Sequence, residues 1–514
     1  MAASAGYAWY LNHKVHRIYV GGLTPEHTTS GKLADTENIL MVGSTTRCGL
    51  THQTPAYGLC TEGVTGVNSD VVMVLHLNFT TGAVSILSLP RDLIVPNARS
   101  TGTWKIDSAL AQGPGRLVSA VEEDFAIPIQ HYVELNFDTF AEVVTKLGGI
   151  TMLFPDPVFD RFSGLKIMRS GCYHLDGRQA LAVVRARHLQ YYVTGDSPTY
   201  VTTWPQEAES DLARIRRDHE FLRVLASEIQ RRGLGNPASD LSLIDALAPV
   251  LTVDSGFSAS DMVHMALTFH TVNAGSAPTY TIPVAVGTFG TYTYDGQPLG
   301  DVEFPSEPND ESTIDAFLGV TSDTNTMTGK PLPSPSSVTV SVIDGTQETG
   351  AGETGAGETG AATTTATSLS GLGFQVVGTS STTPVAQYSE TLVTYSQRTP
   401  QDEAAAQLVA NSLSGSVILH FGATTDGAQV TITTGTRFGV DATAPSGKSG
   451  QTTPTTATGS SQPTSLATPT AGDYAPTGTT SAFTAPTPSK NPLRSWDPRA
   501  CVTGSTGIAD PWNP

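Results

Sequence analysis

Charged residues are scarce in this 514-residue chain, at 15% of the total, and basic residues are the scarcer kind. There are 28 Lys and Arg against 47 Asp and Glu, which gives a formal net charge of −19. Because an acidic chain does not attract the phosphate backbone of nucleic acids, the composition argues against a DNA- or RNA-binding protein. Nucleic acid is therefore not an expected partner, and a local cluster of arginines is correspondingly informative.

Cysteine is also rare, with four residues in all: Cys48, Cys60, Cys172 and Cys501. No Cys-x-x-Cys pair is present, so the spacing of a structural zinc site is missing. Cys48 and Cys60 flank a short segment rich in Gly and Thr, and a disulfide between them would suit an oxidising compartment. Two unpaired thiols are the alternative, and the sequence gives no role for the other two cysteines.

No apolar run of the sequence is long enough to cross a bilayer. The first residues nevertheless resemble the end of a membrane helix, because small apolar residues lead into Trp9 and Tyr10, aromatics typical of the membrane interface. We therefore expect the sequence to begin inside an N-terminal anchor, with a disordered N terminus as the alternative. Residues 1–36 are predicted to form an approach segment before the first domain.

Apolar periodicity divides the rest of the chain into two domains, a linker and a tail. The predicted ranges are a first domain at 37–290, a linker at 291–337, a second domain at 338–440 and a disordered tail, rich in Thr, Pro, Ser and Gly, at 441–514. A repeated Gly-Glu-Thr-Gly-Ala pentad predicts a flexible insert at 347–367.

Strands and helices both occur in the first domain, which predicts an α/β fold of the α-β-α sandwich type with a mixed central sheet. Apolar runs predict strands at 39–42, 71–75 and 84–89, with the last two joined as a hairpin. Helical spacing of apolar residues predicts helices at 117–125, 138–147, 206–232 and 258–272. The second domain alternates strands and a helix in the same way, so a small α/β domain is expected there.

The hairpin brings two charged residues together. Asp70 precedes one strand and Arg91 follows the next, and the start of one strand of a hairpin lies beside the end of the other. We therefore predict that Asp70 and Arg91 meet at one edge of the sheet. A simple salt bridge is the alternative to a functional pair.

A second group of charges lies on two later segments. Arg185 and Arg187 are two residues apart, so an extended backbone would project both to the same side. On the following helix, Asp211, Arg214 and Asp218 share one face. Arg217 lies just off that face, and Arg216 is predicted to point into solvent.

Guanidinium groups and carboxylates in this combination suit a diphosphate ester. Arginine binds phosphate oxygens in bidentate geometry, and a pair of carboxylates holds Mg²⁺ while phosphates complete its coordination. Phosphoryl transfer depends mainly on positioning and charge neutralisation, so no covalent nucleophile is needed. The alternative is a solvated helix face carrying ordinary ion pairs.

A series of short motifs resembles the LytR-CpsA-Psr domain in order and spacing, over roughly residues 37–230. The motifs are Asn38–Ser44, Asn68–Asp70, Ser88–Asp92, Lys105–Asp107, His131–Asp138, Leu147–Gly149, His174–Leu181, Val184–His188 and Asp211–Arg217. Residues 338–440 resemble the C-terminal domain that often follows this domain in actinobacteria.

The resemblance implies a type II single-pass membrane protein whose catalytic domain lies outside the cytoplasm, at the membrane surface. It implies transfer of a glycopolymer phosphate from a polyprenyl diphosphate, held in an apolar groove, to a peptidoglycan hydroxyl. It also implies Mg²⁺ (or Mn²⁺) as cofactor. The implied residues are Asp70 and Asp211 at the metal, Arg91, Arg185, Arg187 and Arg214 as catalytic arginines on the diphosphate, and Lys105, Arg47, Arg217 and Asp218 as further substrate-binding residues.

The sequence departs from the family pattern where the family commonly has Asp and this chain has Thr45. Three functions are open: the transferase, a hydrolase that uses the same charges with water as the acceptor, and a non-catalytic protein that binds the wall or the lipid and has lost turnover with Thr45. An insertion between His188 and Asp211 carries Tyr191, Tyr192, Tyr200 and Trp204. It is interpreted either as a lid over the acceptor sugar or as a mobile surface loop.

Overall fold

The protein is described from a computed structural model. The described residues are 13–25, 30–48, 50, 59–63, 65–197, 200–208, 210–231, 247–269, 272, 277–286, 292–294, 296–306, 309–345, 361–380, 390–435, 438–440 and 492–501. The predicted anchor remnant at the start of the chain lies outside them. Among the described residues, no helix combines the length and apolar character needed to cross a membrane.

The first domain contains eighteen strands and six helices within these residues. The strands are β1 His16–Ile18, β2 Thr36–Ser44, β3 Ser69–Asn78, β4 Ala83–Leu89, β5 Ile94–Arg99, β6 Gly102–Lys105, β7 His131–Leu135, β8 Ile150–Phe154, β9 Val158–Asp160, β10 Leu165–Ile167, β11 Gly171–Leu175, β12 Gln190–Tyr191, β13 Thr252–Asp254, β14 Thr279–Thr281, β15 Val284–Val286, β16 Tyr292–Tyr294, β17 Gln297–Gly300 and β18 Glu303–Pro305. The helices are α1 Pro114–Phe125, α2 Phe137–Lys146, α3 Gly177–Val184, α4 Ser210–Arg231, α5 Ala259–Phe269 and α6 Asn309–Leu318.

A seven-stranded mixed sheet forms the centre of this domain, in the order β1-β13-β7-β2-β3-β4-β14. β2 pairs antiparallel with β3 and parallel with β7, and β3 pairs antiparallel with β4 as the predicted hairpin. The three predicted strands lie within β2, β3 and β4, and the four predicted helices correspond to α1, α2, α4 and α5. The mixed α/β fold expected from the sequence is therefore confirmed.

Helices cover both faces of the sheet. On one face, Leu40 and Val74 pack against Leu117 and Val121 of α1 in the main hydrophobic core. Because side chains alternate along a strand, the neighbours of these residues, such as Met41 and Met73, face the other side. That second face lies beneath the helices α2 to α5 and carries the site described below.

The predicted linker at 291–337 is not a linker. Its first part forms β16, β17 and β18, and its middle forms α6, whose Ile314 and Phe317 belong to the main core of the first domain. The prediction failed because the Pro, Ser, Asp and Thr content of this segment resembles that of a flexible connection. Burial of a few apolar side chains against the sheet is enough to order it.

The second domain is built on a five-stranded sheet in the order β20-β19-β24-β21-β23. Its elements are the strands β19 Thr339–Asp344, β20 Gln375–Ser380, β21 Thr391–Tyr395, β22 Leu413–Gly415, β23 Val417–Phe421, β24 Val430–Thr434 and β25 Phe438–Val440, and the helices α7 Ala361–Gly371 and α8 Pro400–Ala410. The end of the predicted flexible insert forms the start of α7, whereas 347–360 lies outside the described residues.

The two domains pack tightly against each other. Leu392 and Ile418 of the second domain join the main core of the first, beside α1. Thr326 donates a hydrogen bond to the carbonyl oxygen of Ala126 at the end of α1, and Arg398 forms an ion pair with Glu123. The interface between the domains therefore combines apolar packing with polar contacts, and it holds the second domain against α1.

The predicted disordered tail contains an ordered segment at 492–501 that returns to the first domain. Its strand, β26 (Arg499–Ala500), pairs with β8, and a disulfide joins Cys501 to Cys172 of β11. The ring of Trp496 stacks on Tyr191 with the centroids 3.8 Å apart. The prediction failed because a disulfide partner and a buried ion pair, neither visible in local composition, hold this segment in place. The second disulfide, Cys48–Cys60, was predicted and is confirmed.

Asp497 is the buried charge that connects this segment to α4. It accepts a hydrogen bond from Arg216 Nε at 2.6 Å and lies 3.4 Å from Arg217 Nη1. Glu207 forms ion pairs with both arginines, and all four side chains are almost completely buried. The prediction that Arg216 points into solvent is therefore wrong, because the returning segment covers it.

We expect the Asp497→Ala substitution to lower the free energy of unfolding by about 3–5 kcal/mol, because it leaves two buried guanidinium groups with one carboxylate. Urea denaturation measures the change. Asp323→Ala is the matched control, since Asp323 pairs with Lys32 at 3.6 Å on the surface and should lose about 1 kcal/mol or less. Equal losses for the two variants would contradict the role assigned to Asp497.

Candidate active site

An apolar groove runs along the second face of the central sheet. Its floor consists of side chains that the strand register sets in rows, with Met41 of β2 between Met73 of β3 and Val133 of β7. Phe137 and Phe140 of α2 and Phe221 and Leu222 of α4 are among its walls. This part of the groove is a cavity of about 170 Å³.

A second cavity, of about 350 Å³, continues the groove along the same face. The two cavities share Val133, and the floor of the second includes Ile39 and Leu75, which form the next row of the sheet. α5 contributes apolar side chains to its wall, including Met262 and Met265. From Gly43 to Ile39 the groove follows four residue steps of β2, or roughly 13 Å at the rise of a strand.

Gly43, at one end of the floor, allows β2 to approach β3 closely. A β-carbon at this position would lie 2.9 Å from the β-carbon of Val71 on β3, closer than side chains normally approach. Next to Gly43 the lining changes from apolar to charged, because Asp70, Arg185, Arg214 and Asp218 line this end of the first cavity.

The charged end continues into a network that we call the charged cluster. Its members are Asp70, Arg91, Asp92, Lys105, Arg187, Asp211 and Arg214. They come from the β3–β4 hairpin, from β6, from the residues after α3 and from α4. Segments distant in the sequence therefore meet at one place, which is the central expectation of the site prediction.

Asp70 and Arg91 form the predicted ion pair. The hairpin register sets Val72 opposite Leu89, so two residues further on Asp70 lies beside Arg91. Burial opposes the charge of Arg91, but the carboxylates of Asp70 and Asp92 outweigh this effect and raise its pKa. Arg91 is therefore held as a cation at the edge of the groove.

Asp92 links three cationic side chains and was not predicted as a site residue. Its carboxylate lies 2.8 Å from Lys105 Nζ, 3.0 Å from Arg187 Nη2 and 3.4 Å from Arg91 Nε. Burial alone would raise its pKa, but Arg91 and Lys105 lower it below its ordinary value. Asp92 therefore stays ionised and fixes the directions of the three cations.

Helix α4 supplies the other side of the charged cluster. Asp211, in its first turn, lies 3.0 Å from Arg214 Nη2 and 3.1 Å from Arg187 Nε. One turn later, Asp218 lies 3.8 Å from Arg214 Nε. The predicted common face of Asp211, Arg214 and Asp218 is confirmed, and all three side chains are nearly inaccessible to solvent.

The backbone conformation that places Arg185 and Arg187 at the site differs from the predicted one. The backbone is not extended here, because Arg185 is the C-cap of α3 with φ −92° and ψ −7°. Its guanidinium lies over the ring of Phe137, 4.6 Å from the centroid, and lines the groove, whereas Arg187 lies in the charged cluster. Arg47 also approaches Phe137, at 5.8 Å, and donates a hydrogen bond to the carbonyl oxygen of Thr45.

Arg217 was predicted to bind substrate, but the structure buries it away from the groove lining. Besides Glu207 and Asp497, it donates a 2.6 Å hydrogen bond to the carbonyl oxygen of Ala186. Ala186 lies between Arg185 and Arg187 in the chain. Arg217 therefore contacts the backbone that carries two site arginines and has no surface to offer a ligand.

The insertion between His188 and Asp211 packs against the domain over most of its described length. Trp204 is buried and donates a hydrogen bond to the carbonyl oxygen of Ser197, and Tyr192 packs against it edge-on. Of the four aromatics singled out in the sequence, Tyr200 is the exposed one, at 68%. The interpretation as a mobile loop does not fit these contacts, and the lid stays a prediction.

Glu303 is a further acidic side chain near the charged cluster, from the segment predicted as a linker. Its backbone N–H donates to the carbonyl oxygen of Asp92 at 2.9 Å. Burial raises its pKa to about 8, with Asp211 and Asp92 adding to the rise while Arg187 and Arg214 oppose it. The alternation Val302-Glu303-Phe304, with apolar residues on both sides, is the sequence signal that would have found it.

Two carboxylates of the site have the chemistry to hold a divalent cation. Asp70 and Asp211 act on the same guanidinium groups, since both influence the pKa of Arg91 and of Arg214. Within the described ranges, no three His, Cys, Asp or Glu side chains gather as a metal site. Mg²⁺ is commonly held by one or two carboxylates and completed by phosphates and water, and these two residues fit that mode.

Thr45 occupies the position where a carboxylate was expected. Its side chain is buried, and its hydroxyl accepts a 3.0 Å hydrogen bond from the backbone N–H of Asn68. Thr45 therefore stabilises the chain just before Asp70.

Comparison with known proteins identifies the family. The model of the LytR_cpsA_psr family matches residues 12–302, which is more than half of the chain. The chain belongs to the LytR-CpsA-Psr family. A second family model, described as LytR cell envelope-related transcriptional attenuator, matches residues 337–438 and corresponds to the second domain.

Several known proteins of this family are similar to the chain. The probable cell wall biosynthesis protein LcpB of Corynebacterium glutamicum is 31% identical over 279 residues, covering 54% of this chain and 60% of LcpB. The Bacillus subtilis TagT, named polyisoprenyl-teichoic acid–peptidoglycan teichoic acid transferase, is 32% identical over 170 residues, covering 32% of this chain and 47% of TagT. A solved LytR-Csp2A-Psr enzyme from Actinomyces oris has 22% identity and a TM-score of 0.45, covering 60% of this chain and 97% of that one.

We expect Asp218 to make the stability of the protein depend on pH. Burial raises its pKa to about 8, above the ordinary carboxyl value near 4. The folded protein keeps a proton that the unfolded chain releases, so stability contributed by this group falls as the pH rises from about 4 to about 8. Asp218→Asn removes this dependence. The melting temperature of the variant relative to the wild type should therefore rise across that range and level off above it.

The control for this experiment is Asp426→Asn, at an exposed turn position with φ 55° that asparagine also tolerates. Its melting temperature should differ from the wild type by the same amount at every pH. A difference for Asp218→Asn that stays constant between pH 4 and 8 would contradict the assigned protonation.

Proposed function

We propose that this protein transfers a glycopolymer phosphate from a polyprenyl diphosphate carrier to a hydroxyl group of peptidoglycan. The observation that supports this proposal best is the combination of an apolar groove with a cluster of guanidinium groups at one end. A lipid diphosphate has the same arrangement, with a long apolar chain attached to a compact group of negative charges. The name of the relative TagT, a teichoic acid transferase, agrees with this substrate class.

The polyprenyl chain would occupy the groove over Met41, Met73 and Val133 and continue into the second cavity. Relative to water, each CH₂ group buried in the groove contributes about 0.8 kcal/mol, whereas a chain that leaves the apolar interior of a bilayer gains much less from burial. The diphosphate would then lie at the charged end, where Arg185 and Arg214 line the groove. Arginine suits this position because its planar group binds two phosphate oxygens at once.

In the reaction, the acceptor hydroxyl oxygen forms a bond to the phosphorus that carries the glycopolymer. The bond from this phosphorus to the bridging oxygen breaks, and polyprenyl phosphate leaves. Arg91, Arg187 and Arg214 neutralise the charge that develops on the phosphoryl oxygens. Asp92 holds Arg91, Lys105 and Arg187 in place before the substrate arrives, so little reorganisation is needed during the reaction.

A divalent cation, Mg²⁺ or Mn²⁺, is part of the proposal. Asp70 and Asp211 would hold it together with phosphate oxygens, and when bound it would withdraw charge from the diphosphate. Asp218, whose raised pKa favours the neutral acid, would donate a hydrogen bond rather than repel the phosphates. Lys105 and Arg47 would add positive charge around the headgroup.

A location outside the cytoplasm, at the membrane surface, follows from this substrate. The lipid chain is embedded in a bilayer, and peptidoglycan lies outside the cell membrane. The two disulfides, Cys48–Cys60 and Cys172–Cys501, are typical of proteins in oxidising compartments. A membrane anchor before the approach segment would hold the groove close to the lipid.

The decisive experiment combines the purified protein with a polyprenyl diphosphate-linked disaccharide, peptidoglycan fragments and Mg²⁺. We expect polyprenyl phosphate to be released and the disaccharide phosphate to appear on peptidoglycan, with both products lost after chelation of the metal. Release of the disaccharide phosphate into water, at a rate that peptidoglycan does not affect, would instead identify a hydrolase. Tight binding of the lipid with neither product would identify a binding protein.

We expect Arg187→Ala to lower the rate of transfer by roughly 30-fold or more, because one charge-assisted contact to phosphate is worth about 2 kcal/mol. Arg187→Lys keeps the charge but loses the bidentate geometry, and it should restore only part of the rate. Arg178→Ala on the exposed side of α3 is the control and should not change the rate. Wild-type activity in Arg187→Ala would mean that the diphosphate binds elsewhere.

We expect Val133→Phe to shorten the chain that the groove accepts, because Val133 lies where the two cavities meet. Affinity for a long polyprenyl diphosphate should fall about tenfold or more, whereas a diphosphate with two isoprene units should bind as it does to the wild type. Binding is measured by calorimetry with both lipids. Val377→Phe, on the exposed part of the second domain, is the control. Equal loss for the short and long lipids would contradict a continuous groove.

A further inference from the structure

Arg187 is held at its backbone as well as at its guanidinium group. The carbonyl oxygen of Ala186, just before it in the chain, accepts a 2.6 Å hydrogen bond from Arg217 Nη2. The backbone N–H of His188, just after it, donates to Asp160 Oδ2 at 2.8 Å. We call Asp160 and Arg217 the backbone clamp. Both side chains are inaccessible to solvent, at 0% exposure, so neither of them offers a surface to a ligand.

The chain around Arg187 needs such partners because it belongs to neither a helix nor a strand. Helix α3 ends at Val184 and β12 begins at Gln190, so the regular hydrogen bonds of a helix or a sheet do not fix the backbone between them. Buried backbone groups require partners, and hydrogen bonds to charged side chains are stronger than those between neutral groups. β9 and α4 supply these partners from positions 28 and 31 residues away along the chain. The backbone clamp therefore replaces secondary structure at Arg187.

Asp160 does more than stabilise its own turn. Its Oδ1 atom accepts hydrogen bonds from the backbone N–H groups of Phe162 and Ser163, at 2.8 and 3.1 Å, which is the ordinary role of an aspartate at a turn. Its other oxygen, Oδ2, bonds to His188. Within the part of the chain that the structure describes, Asp160 forms no ion pair, and burial of a carboxylate without a cation costs stability. Three backbone N–H groups offset this cost, and one of them lies beside Arg187.

The side chain of Arg187 is thus fixed at both ends. Its guanidinium group lies 3.0 Å from a carboxylate oxygen of Asp92 and 3.1 Å from one of Asp211. Because its backbone is held too, this flexible side chain keeps one direction before a ligand arrives. Such precision matters, since a misplacement of about 1 Å in a site can cost about 100-fold in rate.

We propose that Asp160 and Arg217 are positioning residues, which act through the backbone of Arg187 to hold its guanidinium group in place for a diphosphate. Since this ligand is the diphosphate of the proposed function, the two roles rest on that function, although neither residue touches the ligand. Arg217 is itself paired with Glu207 and Asp497, so the returning segment contributes to the same placement.

The test is a double-mutant cycle on the binding of a diphosphate with two isoprene units in the presence of Mg²⁺, measured by calorimetry. Asp160→Asn keeps an oxygen for the turn, whereas its amide group does not accept the N–H of His188. We expect this substitution to raise the dissociation constant about tenfold in the wild type but less than about twofold in Arg187→Ala, which has no guanidinium group left to position. In Arg214→Ala the increase should stay near tenfold, because α4 and not Asp160 carries Arg214.

Asp124→Asn is the matched control. Asp124 is also buried and accepts a backbone N–H, that of Asn97 at 3.1 Å, but it lies on α1 at the other face of the central sheet. Its substitution should leave the dissociation constant unchanged in the wild type and in Arg187→Ala. Melting temperatures show that each variant folds.

Arg217→Lys repeats the cycle from the other half of the backbone clamp. Lysine keeps a cation near Glu207 but lacks the second nitrogen that bonds to Ala186. The loss of affinity should again depend on the presence of Arg187. This second cycle decides the question if Asp160→Asn does not fold.

An equal loss of affinity for Asp160→Asn in the wild type and in Arg187→Ala would overturn the assignment, because it would reveal a general loss of structure. A loss below about threefold in the wild type would overturn it as well. Failure of the proposed function gives different results. If the wild-type protein does not bind the diphosphate, the charged cluster is not its site and both proposals fail. If it binds the diphosphate but transfers nothing to peptidoglycan, the transferase proposal fails and the cycle still decides the role of the backbone clamp.

Discussion

The site depends on holding several guanidinium groups close together in a partly buried region, where their like charges repel each other. Removing charges from water is expensive unless each is paired, and the pairing must still leave room for a ligand. Asp92 and Asp211 offset this repulsion, because each forms ion pairs with two or more cations of the charged cluster. The carboxylates thus hold the cations close together, and the sheet edge and α4 hold the carboxylates.

Helix α4 carries charge on two faces, and the two faces serve different purposes. Arg214 and Asp218 line the groove and Asp211 pairs with Arg214 beside it, whereas Arg216 and Arg217 are paired with Glu207 and Asp497. The second group keeps the helix in register with the backbone at Ala186 through Arg217. The returning segment at 492–501 lies outside both matched family regions, yet its Asp497 completes the environment of the helix that forms one side of the site.

Much of the site could be predicted from the sequence, because its residues lie at positions that strand pairing and helical spacing define. The hairpin register brings Asp70 to Arg91, and helical spacing gives the common face of Asp211, Arg214 and Asp218. The site residues that the sequence did not predict are brought to the site by tertiary contacts. Asp92 stands next to Arg91, but its partners are 13 and 95 residues away, so no local pattern connects them. Glu303 and Asp497 lie in segments whose composition resembles that of linkers and tails.

The absence of tertiary information in local sequence patterns also explains why the positions of individual arginines were predicted wrongly. Five arginines follow α3 or lie within the first two turns of α4, and the sequence ranks them only by local spacing. Their roles depend on which acidic residue reaches them: Asp92 and Asp211 direct Arg187 to the site, while Glu207 and Asp497 hold Arg216 and Arg217 inside the protein. Burial by a distant segment is not encoded in helical spacing, so Arg216 was predicted on the wrong side.

The threonine at position 45 affects the balance of positive and negative charge in the site. The cations of the site are Arg91, Lys105, Arg185, Arg187 and Arg214. Burial raises the pKa of Asp218 and of Glu303 to about 8, so these two carboxyl groups offset less of the positive charge. A further ionised carboxylate at position 45 would offset more of this positive charge. With threonine there, protein carboxylates offset less of the positive charge of the arginines. In the proposed function, the arginines would therefore neutralise a larger share of the diphosphate, and a cation held by Asp70 and Asp211 would have less charge to compensate.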